Sequence, residues 1–274
     1  MPELPEVETV RNELTTHVIG RRITGLTFEW DGIVKKIPLE DFRSGVIGQE
    51  ILTLDRRGKY LIFSLGSGNY MIIHLKMTGS LLVQNTGDEL PRFTRAVIHL
   101  DNNTDVVFRD PRKFGVMRLV DDPLSIVGKL GPEPLKDDFT IDVFRERLVN
   151  RKAPMKALLC DQNVIAGIGS MYADEVMFDT GIYPVRLPVS LSDEEKDHLY
   201  DAIRRILWAA IENKGASIDT YYRPDGSEGT AHFEFNVAHR GGQPCNLCGT
   251  PIERMVVRGR GTYYCPKCQA DKSR

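Results

Sequence analysis

KYLIFSLGSGNYMIIHL, residues 59–75, decides the fold of the first half of the chain. Lys59–Leu65 and Asn69–Leu75 are short runs of aromatic, β-branched and aliphatic residues. Gly66-Ser67-Gly68-Asn69 between them is a turn signal, so the stretch reads as two strands. RITGLTFEW (22–30), EILTLDR (50–56), TRAVIHL (94–100), DVVFRD (105–110) and GVMRLV (115–120) read the same way. NTGDELP and DNNTD supply further turns. Seven or more strands at this spacing predict an antiparallel β-sandwich or barrel. Ahead of them, Val7, Val10, Leu14 and Val18 recur at helical spacing. They predict an opening helix from about Pro5 to Thr16, with Pro5 suited to the first turn, where its missing N–H costs nothing.

Beyond the strands the pattern changes. KLGPEPLKDD (129–138) reads as a linker, and the chain then becomes helical. Asp138 is placed to cap a helix through about Asn150. A second helical stretch begins near Pro154, is interrupted by AGIGS (166–170) and resumes as MYADEVMFDTG (171–181). Ser192 and Glu195 form a capping-box pattern. They introduce a long helix with Leu199, Ala202, Ile203, Ile206, Leu207, Ala210 and Ile211 on one face, stopped near Gly215. That long helix reads as scaffold. YYRPDGSEGTAH (221–232) looks flexible. The expected class is α+β and multidomain: an N-terminal β-sandwich domain over 1–130, a linker over 131–138, a helical domain over 139–235 and a cysteine module over 236–274.

The 274 residues are 41% hydrophobic and 27% charged, a globular composition with room for about two domains. No run of about 18 apolar residues predicts a membrane span, and the N-terminus lacks the basic and apolar regions of a secretory signal. A cytoplasmic protein is expected. The formal net charge of −2 argues against a nucleic-acid partner, but its distribution does not. Residues 236–274 hold Arg240, Arg254, Arg258, Arg260, Lys267, Lys272 and Arg274 against Glu253 and Asp271, a net of +5. RDPRKFGVMR (109–118) sets four cations against Asp110. Such segregated basic surfaces suit a polyanion.

Four of the five cysteines form two CxxC pairs, Cys245/Cys248 and Cys265/Cys268, sixteen residues apart. That spacing predicts one tetrahedral four-thiolate Zn²⁺ site; a redox dithiol pair is the alternative. With every position filled by thiolate, the metal has no place for water, so its role is structural. The residues between the pairs should form a hairpin, VVRGRGTYY, that carries Arg258 and Arg260.

The chain opens MPELPEVE. A solvated acidic leader is the ordinary reading. A sharper one starts from removal of Met1, favoured by the small residue that follows. Pro2 then carries a secondary α-amine, whose pKa near 8 leaves an appreciable fraction unprotonated at neutral pH. Attack on an aldehyde carbon by such an amine yields an iminium ion, already cationic and so an electron sink. Glu3 beside it is a candidate acid or base.

MPELPEVET, RRGKYL (56–61), HLKMTG (74–79), DPRKFG (110–115), GIGSMYADE (167–175) and the four-cysteine C-terminus occur in this order. Together they resemble the bacterial formamidopyrimidine-DNA glycosylase family over essentially the whole chain. The resemblance implies base-excision repair: excision of oxidised purines such as 8-oxoguanine and formamidopyrimidines from duplex DNA, then β- and δ-elimination at the abasic site. By that resemblance Pro2 is the nucleophile at C1′ and Glu3 the acid that opens the sugar. Lys59 is assigned to β-elimination, and Arg260 to gripping a phosphate and to δ-elimination. Met77, Arg112 and Phe114 match residues that fill the gap left by a flipped base, where strand core and surface charge are their ordinary readings. His74, Arg151, Lys156, Ser170, Tyr172 and Arg258 match DNA-contacting positions. The 167–175 segment would be the helix–two-turn–helix, its helix N-terminus offering N–H groups to phosphate. The 221–235 stretch matches a mobile loop over the flipped base. The family precedent is a monomer acting in the bacterial cytoplasm on the nucleoid.

The chain departs from the pattern at several places. Ser170 stands where the family has asparagine, so a weaker grip on DNA is expected. Arg92-Phe93-Thr94-Arg95 stands for K-H-x-H, Lys76 for a glycine, and VAHRGGQPC for V-Y-G-R-x-G-x-P-C. None of these removes Pro2, Glu3, Lys59 or Arg260, and an active enzyme is expected. Three rivals remain: an endonuclease VIII-like glycosylase for oxidised pyrimidines, whose family opens PEGPE rather than PELPE; a non-catalytic zinc-dependent DNA-binding protein; and a generic zinc-ribbon nucleic-acid module, which would explain only the last 40 residues.

Overall fold

The computed structural model describes residues 1–271; Lys272 and Arg274, counted among the basic residues above, lie outside them. The chain divides into two compact units. One comprises 1–129 with 213–232, the other 130–212 with 233 onward. Residues 213–232 therefore cluster with the N-terminal unit, although they follow the long helix in sequence.

The N-terminal unit opens with α1 (Leu4–Val18) and continues through β1 (Ile23–Phe28), α2 (Leu39–Val46), β2 (Ile51–Arg57), β3 (Tyr60–Leu65), β4 (Tyr70–His74), β5 (Ser80–Asn85), β6 (Thr94–Leu100), β7 (Thr104–Arg109) and β8 (Val116–Val120). Two four-stranded antiparallel sheets result, in the orders β1-β6-β7-β5 and β2-β3-β4-β8. The sandwich expectation holds, with one strand more than the sequence showed. SLLVQN forms β5, which sits between two loops and buries only its first two residues. Helix α1 is longer than expected, and Val7, Val10, Leu14 and Val18 lie in the main core with Leu61, Phe63, Met71, Ile73 and Phe108. It packs on β2, β3 and β5. Burying such a row of aliphatic side chains contributes about 1.5–3 kcal/mol for each.

The short helix α3 (Leu124–Val127) still belongs to the first unit. The second unit holds α4 (Ile141–Leu148), α5 (Met155–Leu159), α6 (Ser170–Asp179), α7 (Asp193–Glu212) and the hairpin of β9 (Glu253–Val257) and β10 (Arg260–Tyr264). Thr140, not Asp138, caps α4: its hydroxyl accepts the Val143 N–H. The expected capping box of α7 is present in both directions. Ser192 N–H donates to Glu195 Oε2, and Glu195 N–H to Ser192 Oγ. The hairpin turns through Arg258 and Gly259, both at positive φ. That is the two-residue turn whose twist matches the flanking strands. Among the described residues, no helix is long and apolar enough to cross a membrane.

Candidate functional site

In the first unit the site is assembled around the start of α1. Glu3 is the N-cap, and its backbone N–H donates to Glu6 Oε2 at 2.7 Å in a capping box. The other oxygen of Glu6 accepts the Ala216 N–H at 2.8 Å. Gly215 has φ +78°, and a Cβ there would sit 2.9 Å from Glu6 Cγ, so this approach requires glycine on both counts. The Tyr221 hydroxyl lies 3.4 Å from Glu6 O and 3.3 Å from Lys214 O. Burial, with the charges of Glu6 and Glu13, pushes that phenol well above its usual pKa. It therefore stays a donor. Pro2 and Glu3 are both buried, Glu3 at 1% exposure. The backbone that carries them is pinned from two directions.

Lys59 is set by the turn before β3. Arg56 donates through Nε to Glu8 Oε2 at 2.5 Å and through Nη1 to Gly58 O at 3.0 Å. Burial raises the Glu8 carboxyl, but Arg56 and Arg11 outweigh it and hold the pKa below the ordinary value. One ion pair thus ties the turn of Lys59 to the second turn of α1. Tyr60 meets the His74 ring edge-on at 4.5 Å. His74 Nδ1 accepts the Lys76 N–H at 2.9 Å, which leaves the proton on Nε2. Burial, and then the charges of Lys76, Lys59 and Arg118, drive its pKa down to about 3. At neutral pH this is an uncharged donor among cations. Lys76 holds φ +57°, where glycine would be unstrained.

Two loops cross between the sheets, 75–79 from β4 to β5 and 110–115 from β7 to β8. Asp110 organises both. Fully buried, its carboxylate accepts the N–H groups of Arg112 (3.2 Å), Phe114 (2.7 Å) and Gly115 (2.7 Å), and the hydroxyl of Thr78. What remains outside is Met77 at 40% exposure, Phe114 at 49% and Arg112, whose guanidinium lies 4.7 Å from the Phe114 ring. Arg95 braces the same loop, donating to Asp110 O at 2.7 Å. Phe93 is ringed by Arg92, Arg95 and Arg109, at 4.5, 5.9 and 5.8 Å.

In the second unit, Cys245, Cys248, Cys265 and Cys268 place their sulfurs within 4.8 Å of one another. Two of the separations are 3.8 and 3.5 Å. Metal–sulfur bonds of about 2.3 Å in a tetrahedron set sulfurs about 3.8 Å apart, so the cluster fits one metal ion. The hairpin it supports presents Arg258 and Arg260, both exposed. Helix α6 packs on β10. Asp174 Oδ2 accepts the Tyr263 N–H at 3.0 Å, and Ser170 Oγ donates to Gly261 O at 2.8 Å. Glu175 accepts from the N–H groups of Asn236, Val237 and Ala238. Burial raises both carboxyls, Asp174 to about 7 against the pull of Lys156.

Three family models match in order: the formamidopyrimidine-DNA glycosylase N-terminal domain over 1–117, the H2TH domain of the same glycosylase over 130–222, and the zinc finger found in FPG and IleRS over 242–270. The formamidopyrimidine-DNA glycosylase of Herpetosiphon aurantiacus is 41% identical over 273 residues, covering 98% of this chain and all of the relative. The chain belongs to the formamidopyrimidine-DNA glycosylase family. The Chloroflexus aurantiacus glycosylase is 43% identical, covering 98% of each chain. Among solved structures, the MutM (Fpg) protein of Thermus thermophilus superposes with a TM-score of 0.89 at 38% identity, covering 98% of this chain and 99% of its own. The Lactococcus lactis Fpg in complex with abasic-site DNA gives 0.91 at 34%, covering 98% and 100%.

Against the glycosylase pattern, two expected DNA contacts need correction. Lys156 has no exposed surface; its ammonium is spent on Ser170 O and Asp174 Oδ1, both at 2.5 Å. Its hydrocarbon stem lies in the core, so it supports α6 rather than meeting a phosphate. The Tyr172 side chain is also fully buried, edge-on to Phe235 at 5.7 Å. Only its backbone, in the first turn of α6, is suited to an anion. Arg151 is exposed, with Nε on Arg147 O. Sequence reasoning missed Glu6, Asp110, Asp174 and Glu175, the buried carboxylates that hold glycosylase elements in place. Glu6 had a signal, as the third residue after an N-cap; so did Asp110, as an aspartate before proline at a loop start.

Proposed function

We propose that the chain is a bifunctional glycosylase and AP lyase of base-excision repair. It excises oxidised purines from double-stranded DNA and then cleaves the abasic site by β,δ-elimination. One observation carries the reading: the Pro2-Glu3 pair heads a helix that Glu6 fixes at both carboxylate oxygens, in a chain matched end to end by formamidopyrimidine-DNA glycosylases.

The chemistry follows from the side chains. With Met1 removed, the unprotonated Pro2 amine attacks C1′, the damaged base departs with the electrons of the glycosidic bond, and the proton lost by the amine nitrogen passes to that base. Glu3 protonates the ring oxygen, which opens the sugar and leaves an iminium ion joining Pro2 to C1′. That cation acidifies C2′; loss of its proton expels the 3′ phosphate. A second elimination expels the 5′ phosphate, and water releases Pro2. Lys59 serves the first elimination, and Arg260 grips the phosphate of the second. The base is reached only outside the stack. Met77 and Phe114 are exposed wedges, and Arg112 beside Phe114 is suited to pair with the orphaned cytosine. His74 offers a neutral Nε2–H to a phosphate. Arg258, Arg151 and the first turn of α6, with Ser170 and Tyr172, supply further backbone contacts. One Zn²⁺ per chain fills the four-cysteine cluster in a structural role. The enzyme works as a monomer in the bacterial cytoplasm.

The test uses duplex DNA carrying 8-oxoguanine opposite cytosine, with borohydride to trap the iminium. A covalent adduct that disappears in Pro2→Gly, and in protein retaining Met1, is expected. No adduct with any oxidised base would sink the enzyme reading. Adducts with oxidised pyrimidines alone would favour the endonuclease VIII-like reading.

A further inference from the structure

We propose that Ser170 is a positioning residue for Arg260, its hydroxyl serving the hairpin and not the DNA. The inference rests on the reading of Arg260 given above. It starts from strand geometry. In the β9–β10 ladder Arg260 pairs with Val257, Thr262 with Met255 and Tyr264 with Glu253. In such a two-stranded ribbon alternate residues turn their N–H and C=O groups to the partner strand, and those between turn them outward. The groups of Gly261 and Tyr263 face outward, along an edge with no further strand among the described residues. Open edges of this kind are a source of slippage.

Helix α6 closes that edge at two points. Ser170 Oγ donates to Gly261 O, and Asp174 Oδ2 accepts from Tyr263 N–H. The match is metric. Residues four apart on a helix rise by about 6 Å; residues two apart on a strand advance by about 6.7 Å. One face of α6 therefore meets two successive outward positions of β10, one contact by a donor and the other by an acceptor. Lys156 stiffens this face from behind, bonding both the Ser170 carbonyl and the Asp174 carboxylate. Arg260 is the residue immediately before the first clamped position. Its peptide is further held by the Thr262 hydroxyl, which donates to Arg260 O at 3.2 Å. The short serine side chain reaches Gly261 O because it lies at the first position of the helix, beside the strand. The hydroxyl hydrogen is committed there, so Ser170 offers a phosphate its backbone N–H and not its side-chain donor.

The experiment compares Ser170→Ala, Ser170→Thr, Arg260→Ala and the double variant Ser170→Ala/Arg260→Ala, all metal-loaded, on abasic-site duplex DNA. Losing one such hydrogen bond corresponds to roughly a five-fold effect. Ser170→Ala should lower the ratio of δ- to β-elimination products by about that factor, and Ser170→Thr should restore it. In the Arg260→Ala background the same substitution should change nothing further. Amide exchange in the β9–β10 hairpin should rise in Ser170→Ala and not in Ser170→Thr. An equal loss in both backgrounds would mean that the hydroxyl serves DNA directly, and would overturn the proposal. So would unchanged hairpin exchange in Ser170→Ala. If Arg260→Ala leaves the product ratio intact while hairpin exchange still responds to Ser170, the reading of Arg260 fails and the clamp stands.

Discussion

The loop of Asp110 and the hairpin of Arg260 both leave arginines exposed, but they are held by opposite strategies. Asp110 satisfies its carboxylate almost entirely from its own loop, with donors two, four and five residues on and Thr78 alone from afar. Asp174 and Glu175 take their backbone donors from residues 61 to 89 positions away. Their loops of chain must be closed by something else. Here packing does it, in a satellite core of Phe178, Val237, Cys245, Ile252 and Cys265 that is built on the cysteine cluster and far smaller than the main one. A self-capped loop is stable wherever its scaffold is; a long-range clamp is only as stable as the cross-link beneath it.

The comparison breaks most visibly on metal removal. Structural zinc contributes about 10–16 kcal/mol in small modules. Chelation should release the hairpin and abolish DNA binding, read by electrophoretic mobility shift. Amides of β2–β8 should keep their protection from exchange, because the sandwich and the four cysteines belong to different compact units. Binding retained without metal would contradict the role given to Arg260.

The converse change is Asp110→Ala. It removes the acceptor of the Phe114 and Gly115 N–H groups and of the Thr78 hydroxyl, and leaves the Arg112 N–H only its 3.4 Å bond to Thr78 Oγ, at a cost of about 3 kcal/mol or more. Urea denaturation should show that loss, and base excision should fall because Met77, Arg112 and Phe114 lose their common support. Metal content should not change. An Asp110→Ala protein with full excision activity would show that the loop is held by its flanking strands instead. A similar cut in the second unit, Glu175→Gln, keeps one acceptor oxygen. It should cost less, about 1–2 kcal/mol, and should loosen residues 236–238 alone.

These buried carboxylates also mark the limit of what the sequence disclosed. Strand alternation, the 3.6-residue pattern of α1 and the paired CxxC motifs were legible because each is a local signal of burial or ligation. β5 escaped because SLLVQN buries only its first two residues and never shows clean alternation. Lys156 was misread because a buried lysine and a phosphate-binding lysine look alike until the partner is known, and Asp174 is 18 residues away. Thr140 and Asp138 are both fair caps, and only the chain's path past Phe139, itself fully buried, chose between them. Side-chain type is written in the sequence; the partners that turn a charge into a support are not.

The smallest effect separates the units by pH. His74 has a folded pKa of about 3 against an ordinary 6.5, lowered by burial and by the charges of Lys76, Lys59 and Arg118. Between those values the unfolded chain binds a proton that the folded chain refuses. Stability of the first unit therefore rises with pH from about 3 to 6.5 and is lost again on acidification through that window. The slope from one such group is at most about 1.4 kcal/mol per pH unit, and less where solvent screens it. His74→Asn keeps an acceptor for the Lys76 N–H and removes the titration. Urea denaturation of the two proteins at pH 5 and pH 7 should show a smaller difference for the variant. At pH 7 both should be equally stable to within the altered packing against Tyr60, whose ring meets His74 edge-on. Identical slopes would mean that His74 is protonated in the fold, and its Nδ1 could not then be the acceptor for Lys76.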